Sequence, residues 1–73
     1  MAKLPIISGR QLIKALSKLG YREVRQRGSH IRLACLGRKS ITVPDYKVID
    51  KSLLRKIFRD AELTTEDFYK LLS

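Results

Sequence analysis

Apolar residues recur at helical spacing near both ends of the chain and at every second position between them. Near the N-terminus an apolar stripe faces a basic side, which predicts a first amphipathic helix of about three turns. Ser8 and Gln11 fit a capping box at the helix start, and Gly20 suits its end because glycine readily adopts the left-handed conformation. The stripe consists of Leu12, Ile13, Leu16 and Leu19.

The period then changes to two, which predicts three short strands. Glycine supplies the positive φ of tight hairpins, so turns are expected at Gly28-Ser29 and at Gly37-Arg38-Lys39. The predicted strands cover residues 21–27, 30–36 and 40–43.

The second predicted strand has two chemically different faces. Ile31 and Leu33 alternate with His30 and Arg32, so one face is apolar and the other is polar and basic. Cys35 continues the apolar series, and we interpret it as a small core residue. This pattern predicts a three-stranded antiparallel meander, and helices are expected to cover its apolar face.

Two more helices are predicted after Pro44. Asp50 is a reasonable N-cap for a helix with an apolar stripe over residues 53–61, and Thr64 offers a cap for a short third helix that carries Phe68. The order α-β-β-β-α(-α) predicts an α+β fold in which the helices lie on one face of the sheet. We expect a single domain over residues 1–73.

Charge is distributed unevenly along the chain. Sixteen Lys and Arg oppose seven Asp and Glu, which gives a net charge of +9. Residues 1–43 hold ten basic residues and one acid, whereas residues 44–73 hold six of each. Basic residues concentrated in this way indicate a polyanionic partner, either a nucleic acid or a strongly acidic protein.

Size and composition exclude several classes of protein. A chain of 73 residues buries only about 60% of its unfolded surface, which leaves no room for a deep cofactor pocket. One Cys and one His cannot build a four-ligand zinc site, and no paired carboxylates accompany the basic segment. We therefore expect no cofactor and no metal. No signal-peptide core or membrane-spanning stretch is recognisable, so a soluble cytoplasmic protein is expected.

The segment RQRGSHIRLAC holds the only histidine of the chain, His30. RNA carries its own nucleophile, the ribose 2′-OH, which attacks the adjacent phosphodiester once a base removes its proton. Imidazole suits this task because its ordinary pKa of about 6.5 keeps both protonation states available near neutral pH. His30 is therefore the candidate catalytic residue, as general base or general acid.

The residues around His30 suit an anionic ligand. Arginine holds a phosphate and stabilises its developing charge through its planar fork of donors. Gly28 allows close approach of a nucleic-acid backbone, and Ser29 is expected to donate a hydrogen bond to phosphate. The candidate RNA-binding residues are Arg25, Arg27, Gly28, Ser29, Arg32, Arg38 and Lys39.

The segments SGRQLIKALSKLGY, RQRGSHIRL, ITVP and LLRKIFRDAELTTEDFYKLL, in this order and spacing, resemble the HicA-type toxins, also called the YcfA-like family. The resemblance spans nearly the whole chain, and its most specific mark is Gly28-Ser29-His30, in which the histidine is catalytic in the family. It implies a fold like the double-stranded RNA-binding domain and cleavage of messenger RNA. It also implies a HicB-type antitoxin that holds the protein inactive.

The chain departs from the family pattern at three places. Tyr46 stands where a second histidine is often found, Ser52-Leu53 replaces a Gly-Thr pair, and Glu62 replaces a glycine. A single histidine cannot easily act as base and acid in one step. The second group is therefore a water, Tyr21, Tyr46 or a lysine, and the sequence does not choose among them.

Two other functions remain open from the sequence. A non-catalytic RNA-binding module would use the same basic surface, with His30 only contacting RNA. A DNA-binding or protein-docking domain would also be basic, although no helix-turn-helix pattern with an exposed recognition helix is present. Cleavage of RNA by the free protein separates these functions from a nuclease.

Overall fold

The computed structural model describes residues 3–72, so residues 1, 2 and 73 of the predicted domain lie outside the described part. A helix, three antiparallel strands and two further helices follow one another, which confirms the predicted α+β order. The elements are α1 (Gly9–Ser17), β1 (Arg22–Arg27), β2 (His30–Cys35), β3 (Arg38–Pro44), α2 (Lys51–Asp60) and α3 (Thr65–Leu72).

The first helix begins and ends as its sequence predicts. The Gln11 backbone N–H donates to the Ser8 hydroxyl at 3.1 Å, and the Ser8 N–H donates to the Gln11 side chain at 2.9 Å. After the last turn Gly20 takes a φ of +108°, and the Tyr21 N–H donates back to the Leu16 carbonyl at 3.3 Å. The turn buries the Tyr21 ring in the core.

Side-chain caps also start the two C-terminal helices. The Asp50 carboxylate accepts from the N–H groups of Ser52 and Leu53, which α2 leaves without helical partners. At α3 the caps are reciprocal, because Asp67 donates its N–H to the Thr64 hydroxyl and accepts from the Thr64 N–H. Within residues 3–72 no helix has the length and apolar character that crossing a bilayer requires.

The strands pair in the order β1-β2-β3. The third strand begins earlier than predicted, at Arg38 rather than Ser40, because Arg38 already pairs with Cys35. Leu36 and Gly37 therefore form the whole turn, and Gly37 reverses the chain with a φ of +81°. Residues 38 and 39, predicted as part of the turn, belong to β3.

The core lies on one face of the sheet, where helices cover β2 and β3. Its sheet side chains are Ile31, Leu33, Ile41 and Val43, all buried, and none of the six residues of β1 is buried. On the helical side the rings of Phe58 and Phe68 lie 4.7 Å apart between centroids.

Cys35 is less buried than predicted. It packs against the core but is only half-buried, because the pairing with β3 shifts between Leu33 and Cys35. A bulge of this kind interrupts the alternation of faces on which the prediction rested.

Candidate functional site

His30 is the first residue of the central strand and is exposed to solvent. It lies opposite Arg27 on β1 and opposite Pro44 on β3. Gly28 begins the turn that leads to it with a φ of +59°, and no atom lies within 4 Å of where a side chain at this glycine would start. The approach to the histidine from the turn is therefore open.

Three arginines share the sheet face of His30. Arg25 pairs with Arg32 as Arg27 pairs with His30, and directly opposed residues of an antiparallel pair project to the same side. The four side chains and Thr42 line a shallow depression of about 180 Å³, and the Arg32 guanidinium donates to the Thr42 hydroxyl at 3.3 Å. We call these five residues the basic face.

The basic face carries uncompensated positive charge. Within residues 3–72 ion pairs join Arg10 to Glu23 and to Asp45, and no carboxylate pairs with Arg25, Arg27 or Arg32. Their guanidinium groups are therefore available to an anion. Arg32 lies on the same face as His30, as the alternation along the second predicted strand indicated, and the strand pairing brings Arg25 and Arg27 to that face across the Gly28-Ser29 turn.

His30 also lines a larger groove of about 430 Å³ between the outer edge of β3 and α2. The segment after β3 contributes Tyr46, which is 51% exposed, and α2 contributes Lys56 and Asp60. We call this the His30 groove. Sequence reasoning named Tyr46 but missed Lys56 and Asp60, because only the packing of α2 beside β3 brings them to the histidine.

Backbone contacts hold the segment between β3 and α2. The Asp45 N–H donates to the Ser29 carbonyl at 2.6 Å, and the Gly9 N–H donates to the Tyr46 carbonyl at 2.8 Å. A side chain at Gly9 would start 2.0 Å from the Pro44 carbonyl oxygen, so only glycine fits there. Gly9 therefore helps to position the segment that carries Tyr46. This role was not predicted from the sequence, where the only hint of it is a glycine in the first turn of a helix.

Tyr21, one of the candidates for the second acid or base, lies elsewhere. Its ring is buried in the core, and its hydroxyl donates to the Lys39 carbonyl at 2.9 Å. Burial raises the pKa of Tyr21 above 10.0. Tyr21 is therefore a structural residue, and this candidate role is wrong.

Arg38 and Lys39 are not brought to His30. They begin β3 opposite the end of β2, whereas His30 begins β2. The Arg38 guanidinium donates to the carbonyl of Ala61 at the end of α2, so it stabilises the helix C-terminus. An RNA contact by either residue stays a prediction. Ser29 lies in the exposed turn, and its carbonyl oxygen accepts a hydrogen bond from the Asp45 N–H.

The site offers no metal-ligand cluster in the part of the chain that the structure describes: residues 3–72 contain no group of three or more His, Cys, Asp or Glu side chains that could hold an ion. What the surface does combine is an exposed imidazole, unpaired guanidinium groups, a phenol and an ammonium.

The fold and this surface define a small α+β protein with a basic, histidine-bearing sheet face. The family model described as the HicA toxin of bacterial toxin-antitoxin systems matches residues 9–63, which include all of the basic face and all of the His30 groove. The chain belongs to the HicA toxin family, and membership implies an antitoxin partner. No curated protein and no solved structure matches it.

Proposed function

We propose that the protein is a toxin that cleaves single-stranded messenger RNA, with His30 as its catalytic residue. The observation that carries the proposal is the exposed imidazole of His30 among three arginines that have no carboxylate partner within residues 3–72. Catalysis at an RNA phosphate needs a proton acceptor and fixed positive charge, and the basic face combines both. Because the substrate is messenger RNA, we place this activity in the cytoplasm.

The proposed reaction uses the nucleophile that RNA supplies. His30 removes the proton of a ribose 2′-OH, and the 2′-oxygen attacks the adjacent phosphorus. The bond from phosphorus to the 5′-oxygen then breaks, which leaves a 2′,3′-cyclic phosphate and a 5′-hydroxyl end. Arg27, opposite His30 on β1, and Arg32, two residues further along β2, stabilise the negative charge that develops on the phosphate oxygens. No step of this scheme requires a metal.

The departing 5′-oxygen needs a proton, which a histidine that has just acted as base is poorly placed to provide in the same step. Tyr46 and Lys56 line the His30 groove and each carries a proton on its terminal atom. These two side chains are the protein groups that we propose for this second transfer.

The proposed antitoxin is of the HicB type. It would inactivate the toxin by covering the basic face and the His30 groove, because a shallow open surface is blocked as soon as a protein lies over it. An acidic inhibitor surface would also compensate the charge of the arginines.

The test is a gel assay of the full chain, freed from any antitoxin, on single-stranded RNA with EDTA present. His30→Ala is measured beside it, with circular dichroism to verify its fold. We expect wild type to cut and His30→Ala to bind RNA without cutting. Equal cutting by both proteins would rule out His30 as the catalytic residue. If both bind and neither cuts, the protein is a non-catalytic RNA-binding module instead.

A further inference from the structure

A second groove, of about 890 Å³, lies on the side of α2 that faces away from the His30 groove. The N-terminal segment, α2 and the start of α3 form its walls, and it shares no lining residue with the His30 groove. We call it the α2 groove, and the lining residues that matter here are Lys3, Ile6, Lys51, Arg55, Arg59 and Leu63.

One wall of the α2 groove is a row of like charges. Lys51, Arg55 and Arg59 follow one another at intervals of four residues, so they are neighbours along one side of the helix. Like charges at this spacing destabilise a helix. Within residues 3–72 no carboxylate pairs with any of the three, and Lys3 of the N-terminal segment adds a fourth cation to the groove. The chain itself thus leaves this repulsion uncompensated, and an acidic ligand would relieve it.

Apolar side chains line the same groove as these cations. Ile6 is 78% exposed, and Leu4 and Leu63 are half-buried beside it in the same groove. A phosphate chain gains nothing from exposed isoleucine, whereas an amphipathic protein segment buries such a residue and pairs its own acids with the surrounding cations. The combination favours a protein ligand over a nucleic acid.

We propose that the α2 groove is a docking site for an acidic amphipathic helix of a protein partner. Four residues of helix rise about 6 Å, so a partner helix with carboxylates at i, i+4 and i+8 matches the spacing of Lys51, Arg55 and Arg59. Apolar residues on the same side of that helix cover Ile6. The site is separate from the basic face, so this proposal does not rest on the ribonuclease activity.

The experiment uses a fluorescein-labelled acidic helical peptide of about 18 residues, long enough to form a helix in water. Its carboxylates recur every four residues beside a leucine stripe, and a scrambled peptide of equal composition is the control. Binding to the full chain, freed from antitoxin, is followed by fluorescence anisotropy at physiological salt. We expect the amphipathic peptide to bind at least about tenfold more tightly than the scrambled one.

Matched variants locate the site. The double variant Arg55→Gln with Arg59→Gln is expected to weaken peptide binding about tenfold or more, whereas Arg22→Gln with Lys70→Gln removes the same charge elsewhere and should change it less than about twofold. For the apolar contact, Ile6→Ser should weaken binding about threefold or more, and Val48→Ser, at a position 58% exposed outside the groove, should not.

Four results would overturn the proposal. Equal affinity for the scrambled peptide, equal losses in the two double variants, or an unchanged affinity of Ile6→Ser would each reduce the groove to a general polyanion surface. Complete displacement of the peptide by single-stranded RNA would assign the groove to nucleic acid. The double variant Arg55→Gln with Arg59→Gln should still cleave RNA at the wild-type rate. Failure of the docking proposal and failure of the ribonuclease proposal are therefore distinguishable.

Discussion

The backbone N–H of Asp45 donates a 2.6 Å hydrogen bond to the carbonyl oxygen of Ser29. The bond joins the residue before His30 to the residue before Tyr46, so the two halves of the His30 groove are held together through the main chain. Gly9 secures the same segment from the other side by donating to the Tyr46 carbonyl. The position of the groove therefore depends on α1 as well as on the sheet.

Replacing Gly9 tests this support. In Gly9→Ala the new methyl group would meet the Pro44 carbonyl oxygen, so the segment must shift, and we expect a loss of about 1–3 kcal/mol in the free energy of unfolding. RNA cleavage should fall as well, because Tyr46 moves with the segment. Urea denaturation and the gel assay measure the two effects. As a control, Lys14→Ala, at an exposed position of the same helix, should keep the free energy of unfolding within about 0.5 kcal/mol of wild type.

The arginines of the basic face should determine the salt dependence of RNA binding. Removing one cation that neutralises a phosphate of single-stranded RNA makes the slope of log affinity against log salt shallower by about 0.7. We expect that decrease for Arg27→Gln and for Arg32→Gln, measured by filter binding at several salt concentrations. Lys70→Gln, which removes one charge from α3, should leave the slope unchanged. An unchanged slope in the two arginine variants would show that the basic face does not bind phosphate.

Tyr46 has an exposed ring beside the basic face, which suits stacking of an RNA base as well as proton transfer. Tyr46→Ala is expected to weaken RNA binding by about 1–3 kcal/mol, whereas Tyr46→Phe keeps the ring and the affinity. The cleavage rates of Tyr46→Phe and Lys56→Gln at saturating RNA identify the proton donor. Only the variant that lacks the donating group should cut slowly. Equal affinity of wild type and Tyr46→Ala would exclude stacking.

Glu62 adopts a left-handed conformation with a φ of +58° just after α2, and the N–H of Leu63 donates to the Phe58 carbonyl at 2.8 Å. Any residue with a Cβ is strained there. We expect Glu62→Gly to stabilise the protein by about 1 kcal/mol and to raise Tm by roughly 4–8 °C. Glu66→Gly, inside the first turn of α3, should instead destabilise by about 1 kcal/mol. Thermal unfolding followed by circular dichroism measures both.

Tyr21 makes the stability depend on pH in the alkaline range. Burial raises its pKa in the folded protein above the 10.0 of a free tyrosine, so the folded state holds the proton more tightly than the unfolded state does. The contribution of this protonated hydroxyl to the stability of the fold is complete below pH 10 and is lost as the pH rises through the folded-state pKa of Tyr21. At neutral pH, Tyr21→Phe should lower the free energy of unfolding by about 1 kcal/mol, because the hydrogen bond to the Lys39 carbonyl is removed. Above pH 10 the free energy of unfolding of this variant should fall less steeply than that of wild type.

Urea denaturation of wild type and Tyr21→Phe between pH 8 and about 11 measures the difference, and the other titrating groups cancel in the comparison. Parallel curves would contradict a raised pKa. RNA cleavage by Tyr21→Phe at neutral pH should match wild type, since the hydroxyl bonds to the Lys39 carbonyl and takes no part in the site.

Local signals in the sequence predicted most of the fold. The caps of Ser8, Asp50 and Thr64 and the turn glycines lie within a few residues of the contacts they form, so their outcome depends little on the rest of the chain. The alternation of Ile31 with His30 likewise assigned the two faces of β2 correctly. The start of β3 was mispredicted because strand pairing depends on the partner strand. Cys35 packs against the core as predicted, but the pairing shift before it leaves it only half-buried.

The site was predictable only where its residues are close in sequence. Arg27 and His30 lie on either side of one turn, so their meeting follows from hairpin geometry. Lys56 joins His30 only because α2 packs beside β3, and Gly9 meets Pro44 only because α1 packs there too. The balanced charge of residues 44–73 also concealed the row of cations on α2, which appears once the helix separates basic and acidic residues in space.

The exposure of every residue of β1 has a consequence for motion. A strand without a buried side chain is attached by its hydrogen-bond ladder and surface pairs alone, so it opens at a lower free energy than the central strand. Arg25 and Arg27 therefore stand on the most adaptable strand of the sheet, and His30 stands on the best anchored one. If the protein cleaves RNA as proposed, Arg25 and Arg27 adjust to RNA backbones of different shape, while the main chain that carries His30 and Arg32 stays in place.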